Sequence, residues 1–293
     1  MIVGKIIGGL GNQMFQYSFY KYLSVEKKCN LKLDLSLFDT YDLHYGYELE
    51  KVFGIREELA SSSEVNALMS KYPLLFKIEN KIFNKNYCFG SFHFKENNFY
   101  IDNKIFYKKY NNFYVEGYFQ TNQYINKIND EMKQLFQFKT ILSSRESDLI
   151  SGNSISIHIR GGDYLTNPQD KKLFGNICTK EYYKRAIRYM QTKIQNPKFI
   201  VFTNDNTYAK SIFEKFDYNL YIVDWNKDEN SYRDMHLMSQ CKHNIIANSS
   251  FSWWGAWLNK NPNKSVISPS EWLNNQKINQ DNIIPKNWIK ING

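Results

Sequence analysis

The chain has 293 residues, 42% hydrophobic and 17% aromatic, which is enough apolar surface for two ordinary folded lobes and too much for a disordered chain. Thirty-eight Lys and Arg against 29 Asp and Glu give a net charge of +9, but no block of five or more basic residues occurs. That scatter argues against a nucleic-acid-binding arm and leaves a cationic surface that attracts phosphates of some kind. Four cysteines, at 29, 88, 178 and 241, form no C-x-x-C pair, so neither a zinc site nor a disulfide framework is expected. No apolar run reaches bilayer length and the N-terminal stretch is too short for a signal peptide, so a cytoplasmic protein is expected.

In chain order, Ile2 to Ile7 predicts a short strand stopped by Gly8-Gly9-Leu10-Gly11. A helix follows from Asn12, with Met14, Phe15, Phe19, Tyr22 and Leu23 at helical spacing, and NLKLDLSLF alternates as a strand does. Residues 60–112 carry no clear period. FYVEGYFQTNQYI predicts a strand and then a helix through about Phe138. The polar stretch SSRESDLISGN marks a boundary near residue 150.

Beyond it the pattern is regular. Strands are predicted at 154–159, 198–203 and 219–224, at NIIAN and at KSVISP, alternating with helices, one of them at 179–194 with Thr179 as N-cap. Such alternation predicts a doubly wound parallel sheet. The expected architecture is α/β, with two Rossmann-like lobes facing across a cleft. Residues 1–150 form an N-terminal α/β lobe and residues 151–275 a C-terminal lobe. A tail at 276–293 returns to the first lobe.

Ligands of an open parallel sheet bind at the carboxyl ends of its strands. His158, Arg160 and Asp163 end the first strand of the second lobe, Asp205 follows the next, and Asn248, Ser249 and Ser250 follow a later one. Arg160 beside two glycines suits a phosphate, because its planar fork makes paired charge-assisted bonds. The same residues also fit a structural Arg160–Asp163 pair with His158 as a core residue, and an ordinary serine cap at 249. The turn Gly9-x-Gly11 mimics a dinucleotide fingerprint, with Asp34 near the position of a ribose acid, but Met14 stands at its third glycine position. The five histidines form no H-x-x-x-H pair and no D-x-D pair occurs, so no metal is expected. If a diphosphate leaves here, Arg160 is the side chain to stabilise it.

Five ordered blocks, GGLGNQMFQYSF, EGYFQTNQYI, SIHIRGGDYL, FTND and NSSFSWWGAWLN, resemble the bacterial α-1,2-fucosyltransferases, glycosyltransferase family eleven. The resemblance implies a GT-B enzyme, inverting and independent of metal or other cofactor, that moves L-fucose from GDP-fucose to the 2-hydroxyl of a galactoside-like acceptor in surface glycan synthesis. It implies that Arg160 holds the β-phosphate while His158 and Asp163 line the donor pocket, Asp163 being also the nearest candidate base. Asn12 and Gln13 would face the diphosphate and sugar. Ser249, Ser250 and Phe251 would support phosphates and nucleoside, Asp205 lies on the same rim, and Asp234 would read the guanine edge. Many relatives carry a second arginine where this chain has Gly161. Basic charge suits loose contact with the inner membrane leaflet, where lipid-linked oligosaccharide acceptors are built. Three rival readings are a transferase for another GDP-sugar, a binding protein without turnover and an NAD-linked oxidoreductase.

Overall fold

The computed structural model describes residues 1–40, 44–69, 91–96, 104–107, 110, 112–214, 219–274, 280 and 282–293. The chain forms two compact units, Met1–Leu135 and Phe136–Gly293.

In the first unit the described strands are β1 (Ile2–Lys5), β2 (Leu31–Asp34), β3 (Glu58–Leu59), β4 (Ser91–Lys95) and β5 (Asn112–Glu116). They form one parallel sheet in the order β3-β2-β1-β5-β4. The helices are α1 (Leu10–Lys27), α2 (Glu48–Phe53), α3 (Ser62–Met69), α4 (Lys104–Tyr107), α5 (Asn122–Ile125) and α6 (Asn129–Leu135). Apolar residues surround α1 on nearly all sides, so the helix is buried. It presses the Tyr20 ring onto β1 so closely that a Cβ at Gly4 would lie 2.2 Å from it. The strand predicted over 30–38 ends at Asp34, whose carboxylate accepts the Ser36 N–H (3.0 Å) and the Tyr114 hydroxyl (2.6 Å) and starts a 3-10 turn.

The second unit holds β6 (Ser154–Ile159), β7 (Lys198–Thr203), β8 (Leu220–Ile222), β9 (His243–Ile245), β10 (Val266–Pro269) and β11 (Ile289–Ile291). These run parallel in the order β11-β10-β9-β6-β7-β8. Its helices are α7 (Ser144–Leu149), α8 (Asp163–Thr166), α9 (Pro168–Phe174), α10 (Lys180–Lys193), α11 (Asn206–Phe213), α12 (Tyr232–Gln240) and α13 (Ser250–Trp257). Ile155, Ile157 and Ile159 pack beneath α10 and α11 on one face of the sheet. On the other face Asn244 Nδ2 ties the Ser156 hydroxyl (2.7 Å) to the Met238 carbonyl of α12 (2.8 Å). Both faces of the central strands are therefore covered: β6, β9 and β10 are buried along their whole length, whereas the edge strand β8 leaves Tyr221 exposed.

Two expectations are corrected. Residues 136–150 belong with the second unit rather than the first. The polar stretch there is helix α7, closed by a capping box between Ser143 and Glu146. Glu146, 2% exposed, takes the Arg233 guanidinium at 2.5 and 2.9 Å, which fastens α7 to α12. The described part of the tail is built into the second unit: β11 pairs with β10, and the Trp288 ring lies 5.5 Å from that of Trp253.

Burial would raise the Glu146 carboxyl, but the bonds from Arg233 and Ser143 outweigh it and hold the group down at about 2. Replacing Arg233 by Met leaves that buried carboxylate without its cation. Denaturant unfolding should show a loss of roughly 3–5 kcal/mol in the second unit, and less when Glu146→Gln accompanies it.

Candidate active site

The strand order of the second sheet reverses at β6. The chain runs outward through β7 and β8, then returns to place β9 on the opposite side of β6. Beyond the carboxyl ends at such a reversal the connecting segments diverge and leave a crevice. Arg160 to Asp163 leave β6 here, and β9 leads here into Asn248, Ser249 and Ser250. The two clusters picked out in sequence thus border one crevice.

Along β6, Ile155, Ile157 and Ile159 point to the α10 side, so His158 points to the α12–α13 side. Its ring lies 5.8 Å from that of Phe251 in α13. His158 is 4% exposed, and burial and then the Arg160 charge push its pKa down to about 3, so the imidazole is neutral. Its Nδ1 has no partner. Arg160 donates through Nη2 to Asp163 Oδ2 (2.8 Å) and lies 5.3 Å from the Tyr164 ring centre. Arg160 Nε and Asp163 Oδ1 are buried without partners. Three unsatisfied polar atoms on one six-residue motif are costly to folding, and a ligand that bonds them removes the cost.

The turn that presents Arg160 is pinned by Asn204, whose importance the sequence reading missed although it placed the residue at a strand end. Asn204 Oδ1 accepts the Gly161 N–H (2.9 Å). Gly162 has φ +59°, and a Cβ there would meet Asn204 Nδ2 at 2.8 Å. A Cβ at Gly161 would come within 2.8 Å of Asp205 Cβ and 3.2 Å of the Tyr208 ring, so those side chains take the room of a second arginine. Asp205 itself is the N-cap of α11, accepting the Tyr208 N–H (2.9 Å). Asp163 is the partner of Arg160 and aims the guanidinium; nothing in the described geometry singles it out as a base.

Asp234 lies in the first turn of α12, which begins at the same carboxyl edge. It is 8% exposed and accepts from Asn226 Nδ2 (2.8 Å). Burial lifts its carboxyl to about 7; the Asn226 bond opposes this and the Glu146 charge adds to it. Ser249 occupies the N-cap position of α13 without a side-chain cap bond, and Ser250 and Phe251 form the first turn. Asn248 is structural, since its Nδ2 serves the carbonyls of Phe174 (3.0 Å) and Trp272 (3.2 Å).

In the first unit, Asn12 borders the turn after β1 and accepts from Gln120 Nε2 (2.9 Å). Gln13 departs from expectation. It is fully buried; its Nε2 serves the carbonyls of Gly8 and Gly46 (both 2.8 Å) and its Oε1 accepts the Glu48 N–H (2.9 Å). Its amide locks the glycine turn and has no bond left for a ligand. Glu48 Oε2 accepts the Leu10 N–H (3.0 Å) and so lies at the start of α1, where a dinucleotide fold would seat its diphosphate.

A family model described as Glycosyl transferase family 11 matches residues 2–292. The chain belongs to this family. It is a glycosyltransferase of the α-1,2-fucosyltransferase family, which overturns the oxidoreductase and non-enzymatic readings. It is 34% identical over 298 residues to an Escherichia coli alpha-1,2-colitosyltransferase, covering 99% of each chain. It is 35% identical over 309 residues to the Escherichia coli O-antigen biosynthesis glycosyltransferase WbnK, covering 97% of this chain and 98% of that one. Among solved structures it resembles an Arabidopsis thaliana FUT1 variant in complex with GDP, with a TM-score of 0.51 and 12% identity over 92% of this chain and 71% of that one. The fold is that of the GT-B glycosyltransferases.

Burial lifts the Glu48 carboxyl to about 7, against the Leu10 bond and the Lys51 charge. A folded pKa above the unfolded one means that the native chain binds the extra proton, so this group's contribution falls as pH rises from about 4.5 to about 7. Glu48→Gln keeps an acceptor for Leu10 and should flatten that slope, gaining up to about 3 kcal/mol at pH 8 relative to the parent, as read from denaturant midpoints at pH 5 and pH 8.

Proposed function

We propose that this glycosyltransferase moves L-fucose from GDP-fucose to the 2-hydroxyl of a galactoside, with inversion, and that Arg160 rather than a metal ion balances the departing diphosphate. The observation that carries the reading is the Arg160 guanidinium at the sheet reversal, aimed by Asp163 and holding a buried N–H without partner. The bond from the sugar carbon to the β-phosphate oxygen breaks and its electron pair passes to the diphosphate. The acceptor oxygen attacks the opposite face of the cation-like sugar and loses its proton. Negative charge grows on the diphosphate as the bond lengthens, so a fixed guanidinium binds the transition state more strongly than the intact donor.

The other residues divide the donor between them. Ser249, Ser250 and the first turn of α13 offer N–H and hydroxyl groups to phosphate. Phe251 and the neutral His158 ring line the nucleoside side. Asp234 can accept the paired N–H groups of a guanine edge through a carboxylate that has a single side-chain bond in the structure. Asp205 borders the rest of this rim. The names of the relatives support both a GDP-linked donor and a role in surface glycan assembly.

A second donor has a specific claim, because the full-length relative at 34% identity is named for colitose, the 3-deoxy counterpart of fucose. A pocket that hydrogen-bonds the 3-hydroxyl rejects the deoxy sugar strongly, whereas an apolar one does not.

Incubation with GDP-fucose or GDP-colitose and a set of galactosides, followed by linkage analysis, should yield a 1,2-linked product, with fucose preferred. Arg160→Ala should lower kcat by about 10²–10³. Near-parental turnover of that variant would remove Arg160 from its role. The +9 charge also supports peripheral contact with an anionic leaflet, so the enzyme should float with anionic liposomes at low salt and be released as salt rises.

A further inference from the structure

α1 runs back against the first sheet, so its last turns lie at the amino-terminal edge of the strands, away from the glycine turn. Lys27 marks the place: its ammonium bonds the Phe106 carbonyl (2.7 Å) and lies over the ring of Phe113 near the start of β5. From Asn12 to Tyr22 and Glu26 is roughly 15–20 Å along the helix. A cavity of about 390 Å³ opens here, between α1, α4, α5 and the 3-10 turn Asn126–Ile128. That is the size of a small-ligand site.

Its floor is aromatic. The Tyr22 ring lies 5.2 Å from that of Tyr124 and 5.6 Å from that of Phe106, and Phe106 lies 5.4 Å from Tyr124. Tyr22 and Tyr124 are buried, Phe106 is half-buried, and Tyr107 stands 82% exposed at the mouth. The rim is polar, formed by the exposed side chains of Glu26, Gln123 and Lys127. Among the described residues, neither the Glu26 carboxylate nor the Gln123 side-chain amide has a hydrogen-bond or ionic partner. Lys127 donates to the Tyr22 hydroxyl (2.9 Å) and lies 5.1 Å from the centre of that ring. Glu26 is near enough to support the charge of this ammonium.

The lining selects the ligand by exclusion. An anion meets Glu26 and a cation meets Lys127, so each loses on one side what it gains on the other. A wholly apolar ligand covers a carboxylate, an amide and an ammonium without bonding them. A pyranose has apolar C–H faces for the aromatic floor, and hydroxyls that donate to a carboxylate and accept from an ammonium. Asn12 and the glycine turn lie at the opposite edge of the same sheet, so a ligand here takes no part in the transfer.

We infer that the amino edge of the first unit carries a non-catalytic site for one neutral sugar ring, seated on Tyr22, Phe106 and Tyr107 with its hydroxyls bonded to Glu26, Gln123 and Lys127. The site stands whichever GDP-sugar the enzyme transfers. Tyr107→Ala and Gln123→Ala change exposed side chains and leave the buried floor intact.

The test is ligand-observed NMR titration of the full chain, saturated with GDP, with methyl β-galactoside, methyl α-L-fucoside and N-acetylglucosamine. The parent should bind at least one of the three with a Kd of about millimolar order, as suits a ligand of that size. Tyr107→Ala and Gln123→Ala should each weaken that sugar by about 2–10-fold, the worth of one ring contact or one hydrogen bond. Both should keep the parental melting temperature, GDP affinity and rate of fucose transfer to lactose. Parental sugar affinity in either folded variant would overturn the inference, as would a parent that binds none of the three sugars. A fall in the transfer rate to lactose would put these residues in the reacting site and overturn the non-catalytic assignment. A parent that transfers nothing from GDP-fucose would count against the transferase reading, while the titration would still decide the site.

Discussion

The structure depends on holding one guanidinium at the reversal point of a parallel sheet. β6 is buried on both faces, so the chain leaving it must turn at once, and Gly162 with φ +59° makes that turn. Asn204 reaches across from the end of β7 to bind the Gly161 N–H, which couples the turn to the neighbouring strand. Asp163 then fixes the direction of Arg160. Each contact comes from a different element, and all of them converge because parallel strands deliver every carboxyl end to the same edge. The unsatisfied atoms on His158, Arg160 and Asp163 cost stability of about 1–3 kcal/mol apiece, which the isoleucine layer beneath α10 and α11 is large enough to offset.

The same edge explains how much was legible in the sequence. SISIHI and KFIVFT are strands with the bounds read from their apolar runs, and Thr179 caps its helix through the Tyr182 N–H. Those signals are local: β-branched runs and hydroxyl caps act within a few residues. The stretch at 143–153 carries a local mark too, the Ser143-x-x-Glu146 capping pattern, but nothing local shows that Glu146 is buried. SSRESDL reads as a polar linker until Glu146 meets Arg233, 87 residues later, and becomes the buried end of a capping box. β11 is only three residues long and exists because β10 offers it an open edge. Ser231, a hydroxyl at the start of α12, has helical backbone angles and no side-chain cap bond.

The site residues follow the same division. His158, Arg160 and Asp163 lie on one motif, and strand alternation was enough to bring them together. Gln13 was not separable from Asn12 by any local signal. Both lie in the first turn of α1, but Gln13 bonds Gly8, Gly46 and Glu48, whereas Asn12 accepts from Gln120. An amide beside a glycine turn can serve either the turn or a ligand, and only the loop at 44–48 decides which. Residues 60–112 carried no readable pattern, and of these β4 and Glu96 emerge from the structure.

Each unit therefore solves the same geometric problem with opposite chemistry. At β6 the reversal presents a cation whose one ionic partner among the described residues is the partly exposed carboxylate of Asp163, and its Nε has no partner, so an incoming anion can use it. In the first sheet Lys5 at the end of β1 and Lys95 at the end of β4 are both held by Glu116. Geometry alone would let either crevice take either ligand, since both lie beyond parallel strand ends and both open beside a helix start. Charge breaks that symmetry. Glu48 takes the Leu10 N–H at the start of α1, whereas Arg160 keeps an N–H without partner beyond β6, so an anion is bound more favourably at β6.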